Sequence, residues 1–573
     1  MIHNKRLLAL ALSGLVGIAQ AGEKEELLKL RNTTTNLIKQ LVKQGVITEN
    51  AAEQMIKQAE ADAETQVAVG KAAAATREAV PADEVRVAYV PDFVKDEIRQ
   101  QVRSELREEV VGDVMAKAKN EQWGLPNALP EWTKRFKLSG DLRLREQMEF
   151  NAADNALRGY QNYQAINDRG GTTAAAANSE QFLNTTKDRN RMRERFRLGI
   201  DVNIADGVDA GVRLATGNIR NPTSTNQTLG NYGDRYEFRV DRAYLKYDAL
   251  DDNKFNWLTL TGGRIANPFY TGGSELVWDE DLSFEGVAGT VRHRFGASSG
   301  SLDEIGAAGP TIFATAGAFP LQESGLSTHD KWLFGGQTGL DWEFSNQDNL
   351  TMGVAYYDYR NIQARPNTNQ AGNFQCNLNN ADNTFSKPDY MQLGNTLTTI
   401  CNESGSTPFL GAAGLAGDYN ILNINAAYDT ALFAPVHVRL SADYAKNIGF
   451  NLNDMQRRYR DLLPFGGVLN GTTLKAQTTA WQVRADVGWT NVALPGNWSV
   501  FTAYKYLQRD AVLDAFTDSD FHLGMTNVKG WMIGGNYGLM KNVWLTGRWL
   551  SGDIITGPRY GLDIVQIDIN TRF

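Results

Sequence analysis

From Phe136 onward, apolar and polar residues alternate with period two, the spacing that sends successive side chains to opposite faces of a β-strand. In the last nine residues, Val565, Ile567, Ile569 and Phe573 fall on one face, and Gln566, Asp568, Asn570 and Arg572 on the other. Sixteen such segments start near residues 136, 190, 208, 236, 256, 283, 311, 331, 349, 419, 436, 478, 497, 528, 541 and 561. Their connections alternate in length. Short ones occur at 205–207, 345–348, 433–435, 492–496 and 538–541; longer ones fall between, the largest being 361–418. Residues 296–310 break this rule, being long where a short turn is expected. The pattern predicts an all-β transmembrane antiparallel barrel of about 16 strands spanning residues 136–573, with lipid outside and a polar lumen inside. A barrel of about sixteen strands leaves a water-filled channel, where about eight would be filled by side chains.

The two faces carry different chemistry. In the second segment, Phe196, Leu198, Ile200, Val202 and Ile204 oppose Arg193, Arg195, Arg197, Asp201 and Asn203. The apolar face is rich in Trp and Tyr near strand ends, as interfacial girdles are. An Arg or Lys facing lipid at midplane would cost roughly 2–4 kcal/mol, so the charged face must line water. Arg143, Arg145, Arg193, Arg195, Arg197, Arg213, Arg439, Arg484 and Arg548 accumulate there as candidate pore-lining residues. The third long loop, 267–282, carries Glu275, Asp279, Glu280 and Asp281. Folded into the barrel, these carboxylates would face the arginines across a constriction, and the transverse field would hinder apolar solutes. Arg264 is ambiguous: strict alternation puts it on the lipid face unless Gly262-Gly263 introduces a bulge.

The chain before the barrel has another texture. Residues 1–21 read as a signal peptide: His3, Lys5 and Arg6, an apolar stretch at 7–18, then Ala19-Gln20-Ala21. Residues 22–66 form a helical segment with Leu27, Leu30, Leu37, Leu41 and Val42 at helical spacings, and residues 67–90 an Ala-rich linker. Residues 91–122 hold a long amphipathic helix capped by Asp92, with Ile98, Val102, Leu106, Val110 and Val114 every four residues. Running from Asp92 to about Asn120, that helix would be roughly 43 Å long at ~1.5 Å per residue. Its narrow stripe calls for a partner, either copies of itself in a coiled coil or the preceding helical segment.

Composition excludes other classes. Mean hydropathy is −0.38, and no apolar run of membrane-spanning length follows the N-terminus, which rules out transmembrane helices there. The net charge of −8 gives no basis for nucleic-acid binding. Two cysteines and five scattered histidines make no metal-ligand spacing, so neither metal nor cofactor is expected. Cys376 and Cys401, in a secreted chain, predict a disulfide worth roughly 3 kcal/mol for a loop of about 25 residues. His437 shares an inward face with Ser441 and Asp443, but alternate residues of one strand do not meet as a triad does, and no catalytic residue is assigned.

The segments Glu26-Leu27-Leu28-Lys29-Leu30-Arg31-Asn32, Leu41-Val42-Lys43-Gln44-Gly45-Val46-Ile47 and Tyr89-Val90-Pro91-Asp92-Phe93-Val94-Lys95 resemble the bacterial "putative porin" family. So do Trp123-Gly124, Leu129-Pro130-Glu131-Trp132, Gly140-Asp141-Leu142-Arg143-Leu144-Arg145 and Gly263-Arg264-Ile265-Ala266-Asn267-Pro268-Phe269. The resemblance implies passive diffusion of small hydrophilic solutes and ions through an outer-membrane homotrimer, with the helical segment in the periplasm. Expected partners are outer-membrane lipid and the barrel-assembly machinery, which would read the terminal Phe573; peptidoglycan is a further candidate. Two alternatives stand beside a general porin: a substrate-selective uptake channel, and a structural anchor acting through the N-terminal helices.

Overall fold

In this computed structural model, which describes residues 133, 135–295, 309–325, 327–344, 348–367, 376, 383–403, 409–458, 462–463 and 475–573, the alternating segments form one seventeen-stranded sheet. Its two-residue member, Gln227–Thr228, belongs to a loop; the other sixteen strands build the wall. They are β1 (Phe136–Asn151), β2 (Arg189–Ala205), β3 (Val208–Ala215), β4 (Arg239–Leu250), β5 (Asn256–Ala266), β6 (Ser283–Arg294), β7 (Thr311–Gln322) and β8 (Lys331–Glu343). The second half comprises β9 (Asn349–Arg360), β10 (Asn420–Phe433), β11 (Val436–Asn447), β12 (Thr479–Gly488), β13 (Trp498–Leu507), β14 (Val528–Met540), β15 (Val543–Ile554) and β16 (Gly561–Arg572). Each strand pairs antiparallel with its sequence neighbours. β16 returns to β1, from Asp141 opposite Arg572 to Asn151 opposite Leu562, so the sheet closes and has no edge. The widest offset between a predicted and an observed strand start is 236 against Arg239.

Alternation places Leu138, Ile200, Val287, Val500 and Ile567 outward and exposed, the apolar belt a membrane barrel needs. Trp342 and Trp498 sit on the same face near strand ends. The buried hydrophobic cluster lies in the long-loop half. There Tyr160, Phe269, Leu276, Trp278, Met391 and Phe521, all from loops, pack against Phe319, Leu333 and Tyr357 of the wall. Within residues 361–419, Leu397–Asn402 and Leu410–Leu415 form a small sheet with Leu462–Leu463, and Cys376 is bonded to Cys401, as predicted. The signal peptide, both helical segments and the linker predicted for 1–122 lie outside the described residues.

Arg264 follows strict alternation. The β4–β5 and β5–β6 pairings run through Gly262 and Gly263 without a register shift, so no bulge intervenes. Arg264 therefore shares the outward face of Leu260 and Val287, where its NH1 meets Glu285 on β6 at 2.5 Å. Gly263 is required for a different reason: its φ is +114°, and a Cβ there would lie 2.4 Å from the Ala243 carbonyl.

Candidate functional site

The loop 267–282 enters the lumen and is held at both ends by opposite chemistries. At its start, the Phe269 ring fills the space above Gly335, where a Cβ would come within 2.3 Å of it. Tyr270 donates its backbone N–H to Gln337 Oε1 (2.7 Å), and its carbonyl accepts from Gln337 Nε2 (2.8 Å) and Asn425 Nδ2 (3.1 Å). Gly272 and Gly273, with φ of +65° and +78°, then turn the chain in a left-handed conformation that a side chain would strain. Arg439 NH2 donates to the Gly272 carbonyl at 2.9 Å.

The middle of the loop packs on a second lumen loop, 508–527. Leu276 and Trp278 are buried, the latter edge-on to Phe284 and Tyr357 at 4.9 and 5.0 Å. Asp279 N–H donates to the Phe516 carbonyl (2.8 Å), Asp518 N–H to the Glu275 carbonyl (3.2 Å) and Ser519 N–H to Asp279 Oδ2 (2.8 Å). The far end reaches the arginine wall. Asp281 Oδ1 lies 3.2 Å from Arg197 NH1 and 3.5 Å from Arg195 NH1, while its Oδ2 accepts from Thr225 Oγ1 at 2.9 Å. Glu280 Oε1 is 3.7 Å from Arg195.

Most of the candidate arginines have a carboxylate beside them. Arg145 meets Asp568 (2.8 Å) and Asp520 (2.9 Å), and Arg548 meets the same Asp520 at 2.8 Å. Arg195 and Arg197 share Asp141; Arg213 pairs with Asp241, and Arg484 with Asp486. Arg143 and Arg193 instead meet neutral groups: Asn226 for the first, Gln147 and Ser224 for the second. His437 Nδ1 is bonded to Asp429 Oδ1 at 2.6 Å, on the neighbouring strand.

The four loop carboxylates divide. Asp281 and Glu280 lie beside arginines of the wall, but among the described residues Glu275 and Asp279 have no arginine partner and lie against Asp518. Their acidities split accordingly. Burial alone would raise the Asp281 carboxyl, but Arg195, Arg197 and Arg143 override it and hold it below the usual range. Asp520 behaves alike under Arg145 and Arg548, and is held well below. Burial and then Asp518 push Glu275 up to about 8, and burial with Glu275 raises Asp279 well above its ordinary value. Oxygens of Glu275, Asp279 and Asp518 lie within 4.8 Å of one another, the spacing of a cation site, and Lys505 Nζ already supplies a positive charge at Asp518 Oδ2, 2.5 Å away.

Sequence reasoning did not single out Asp141, Asp568 or Asp520, which match the arginines, nor Ser224 and Asn226, which bridge two of them. The first two stand on the polar parity of β1 and β16 and could have been paired with the arginine count. Asp520 lies in 508–527, whose run Asp514, Asp518, Asp520 carries no local sign of facing inward.

Comparison with curated protein sequences finds none that matches. Among solved structures, Pseudomonas putida OprB at high pH is similar at 11% identity and a TM-score of 0.41, over 79% of this chain and 97% of that one. The outer membrane channel DcaP of Acinetobacter baumannii is similar at 11% identity and 0.35, over 76% and 97%. Salmonella typhi OmpF in complex with daunomycin is similar at 10% identity and 0.35, again over 76% and 97%. A family model described as putative porin matches residues 31–573, and the chain belongs to this family.

Proposed function

We propose that the protein is a diffusion porin whose lumen passes small hydrophilic solutes and ions, narrowed by loop 267–282 against the arginine wall. One observation carries the reading: the loop is tied to Gln337 and Asn425 at one end and to Arg195 and Arg197 at the other. It thus brings fixed charges of both signs into the passage, where they favour hydrated, dipolar solutes over apolar ones. The outer face supports a homotrimer. Glu146 and Glu194 alternate with Leu144 and Phe196 on that face, and a carboxylate there is better covered by another subunit than left in lipid. Residues 22–122 complete the proposal as a periplasmic segment that trimerises or meets the cell wall.

The test is single-channel conductance of the folded protein in a planar lipid bilayer under a salt gradient. Stable steps, in multiples of three for a trimer, are expected; a folded protein that gives none would sink the reading.

A further inference from the structure

Lys505, on β13, and Asp518, in loop 508–527, are buried as a pair. Lys505 Nζ donates to Asp518 Oδ2 at 2.5 Å, and the two side chains are 1% and 6% exposed. The other carboxylate oxygen, Oδ1, accepts two backbone N–H groups, from Asp520 at 2.9 Å and from Phe521 at 3.0 Å. The buried Phe521 ring has its centre 5.2 Å from Nζ. Loop 267–282 packs on the same spot: Thr517 Oγ1 donates to the Leu276 carbonyl at 2.9 Å, and oxygens of Glu275 and Asp279 lie within 4.8 Å of one from Asp518.

The arginine pairs of the wall are chemically inert, because a guanidinium keeps its proton. A lysine amine that gives up its proton in a desolvated site becomes a nucleophile. Burying two full charges is costly even when they touch, and condensation would remove both at once. We propose that Lys505 and Asp518 condense into an intramolecular amide that straps β13 to loop 508–527. Nζ attacks Cγ of Asp518, and the negative charge that gathers on Oδ1 meets the N–H groups of Asp520 and Phe521, already aimed there. Oδ2 leaves as water with two of the three ammonium protons, and the third stays as the amide N–H. The ion pair therefore holds every atom of the products, and no co-reactant is needed. Glu275 relays the proton to Oδ2: burial and Asp518 push it up to about 8, so it is protonated at neutral pH. An amine and a carboxyl held in contact react as an effectively unimolecular pair. Oδ1 keeps both its donors in the amide, and the strap fixes the loop on which Asp279 rests.

The test is mass spectrometry of tryptic fragments from the full chain, folded in detergent and only then denatured and cut. Trypsin does not cut after a lysine whose Nζ is in an amide. Wild type should give fragment 485–509, uncut at Lys505, joined to fragment 510–529 and one water lighter than their sum. Separate fragments 485–505 and 510–529 in full yield would overturn the proposal. Lys246 meets Asp248 at 2.6 Å in a pair 35% and 18% exposed, and should be cut normally; joining there as well would show that the buried site plays no part. Lys505→Arg keeps the charge without the nucleophile and should abolish the joined fragment. Glu275→Gln keeps both reacting groups and should lose most of it; a joined fragment at the wild-type level would overturn Glu275 as the relay. Heat-modifiable mobility shows that each variant folds, and if one does not, the wild-type digest decides alone. Chain kept in denaturant throughout should give separate fragments, and joined ones there would overturn a bond made by the fold.

Discussion

The wall of β1 and β2 and the wall of β8 to β10 stand half a barrel apart, and both hold the same loop. The first does so with charge: Arg195 and Arg197 grip Asp281, and Asp141 completes the set. The second does so with shape and amides. Gly335 leaves room for Phe269, and Gln337 and Asn425 clasp the Tyr270 backbone. The amide clasp satisfies backbone groups and is indifferent to salt or pH, whereas the charged grip responds to both. One end of the loop is thus fixed by shape and amides, and the other is held by charges that salt and protons act on.

Removing the anchor at the neutral wall should have the largest effect. Phe269 is 4% exposed and packs edge-on against Phe284, Phe319 and Tyr357. Phe269→Ala should cost about 3–5 kcal/mol of local packing and free the loop, raising single-channel conductance. Gly335→Val attacks the same contact from the wall, and overpacking costs about 1–3 kcal/mol. Unaltered conductance in both folded variants would mean that the loop does not narrow the passage.

At the charged wall, Asp281→Asn should cost about 1–3 kcal/mol, because it leaves the buried Arg195 and the partly buried Arg197 sharing Asp141, with only the exposed Glu280 beside Arg195. The reversal potential should move toward anion preference. A shift toward cations would contradict the assignment of Asp281 as the counter-charge.

The contrast between the walls was only half legible in the sequence. Strand positions follow from a local period of two, and a lumen residue such as Arg197 is identified by its own neighbours. Long-range matches have no such local sign. Glu275 and Asp281 belong to one acidic stretch, yet one meets Asp518 and the other Arg197, because 508–527 folds under half of the loop. Gly335 also reads as an ordinary strand glycine until Phe269, 66 positions earlier, is placed above it.

The acidic contact gives a pH dependence of opposite sign to that of the charged wall. Glu275, raised from an ordinary 4.5 to about 8, holds its proton more tightly in the folded loop than in the unfolded chain. Its contact is therefore at full strength below the ordinary value, and weakens as pH rises from 4.5 to about 8. Asp279, raised by burial and Glu275, adds in the same direction; Asp518, Glu280 and Lys505 face the same contact. Asp281 and Asp520, held low, stabilise the wall above the ordinary value of 3.8 and lose that contribution as pH falls through their folded values. Conductance should accordingly change on both the alkaline and the acid side, and Glu275→Gln with Asp279→Asn should flatten only the alkaline limb. Loss of the acid limb in that double variant would refute the division between the two groups of acids.

The smallest effect is expected outside the lumen. Arg264 and Glu285 pair at 2.5 Å on the outward face, 31% and 58% exposed, in the same chemistry as Arg197 with Asp281. What differs is solvent: Asp281 is 6% exposed and also accepts from Thr225, so removing it strands buried charge. Arg264 and Glu285 stand at the long-loop ends of β5 and β6, toward the interface rather than the midplane, where a charge costs about 0–1 kcal/mol and an exposed pair is worth about as little. Glu285→Gln should therefore leave conductance and reversal potential unchanged and shift denaturant unfolding by no more than about 1 kcal/mol, with the little that remains fading in high salt. A cost equal to that of Asp281→Asn would mean that the outward face around β5 and β6 is buried in the membrane assembly, against a neighbouring subunit, and that burial of the pair sets its energy on both faces of the wall.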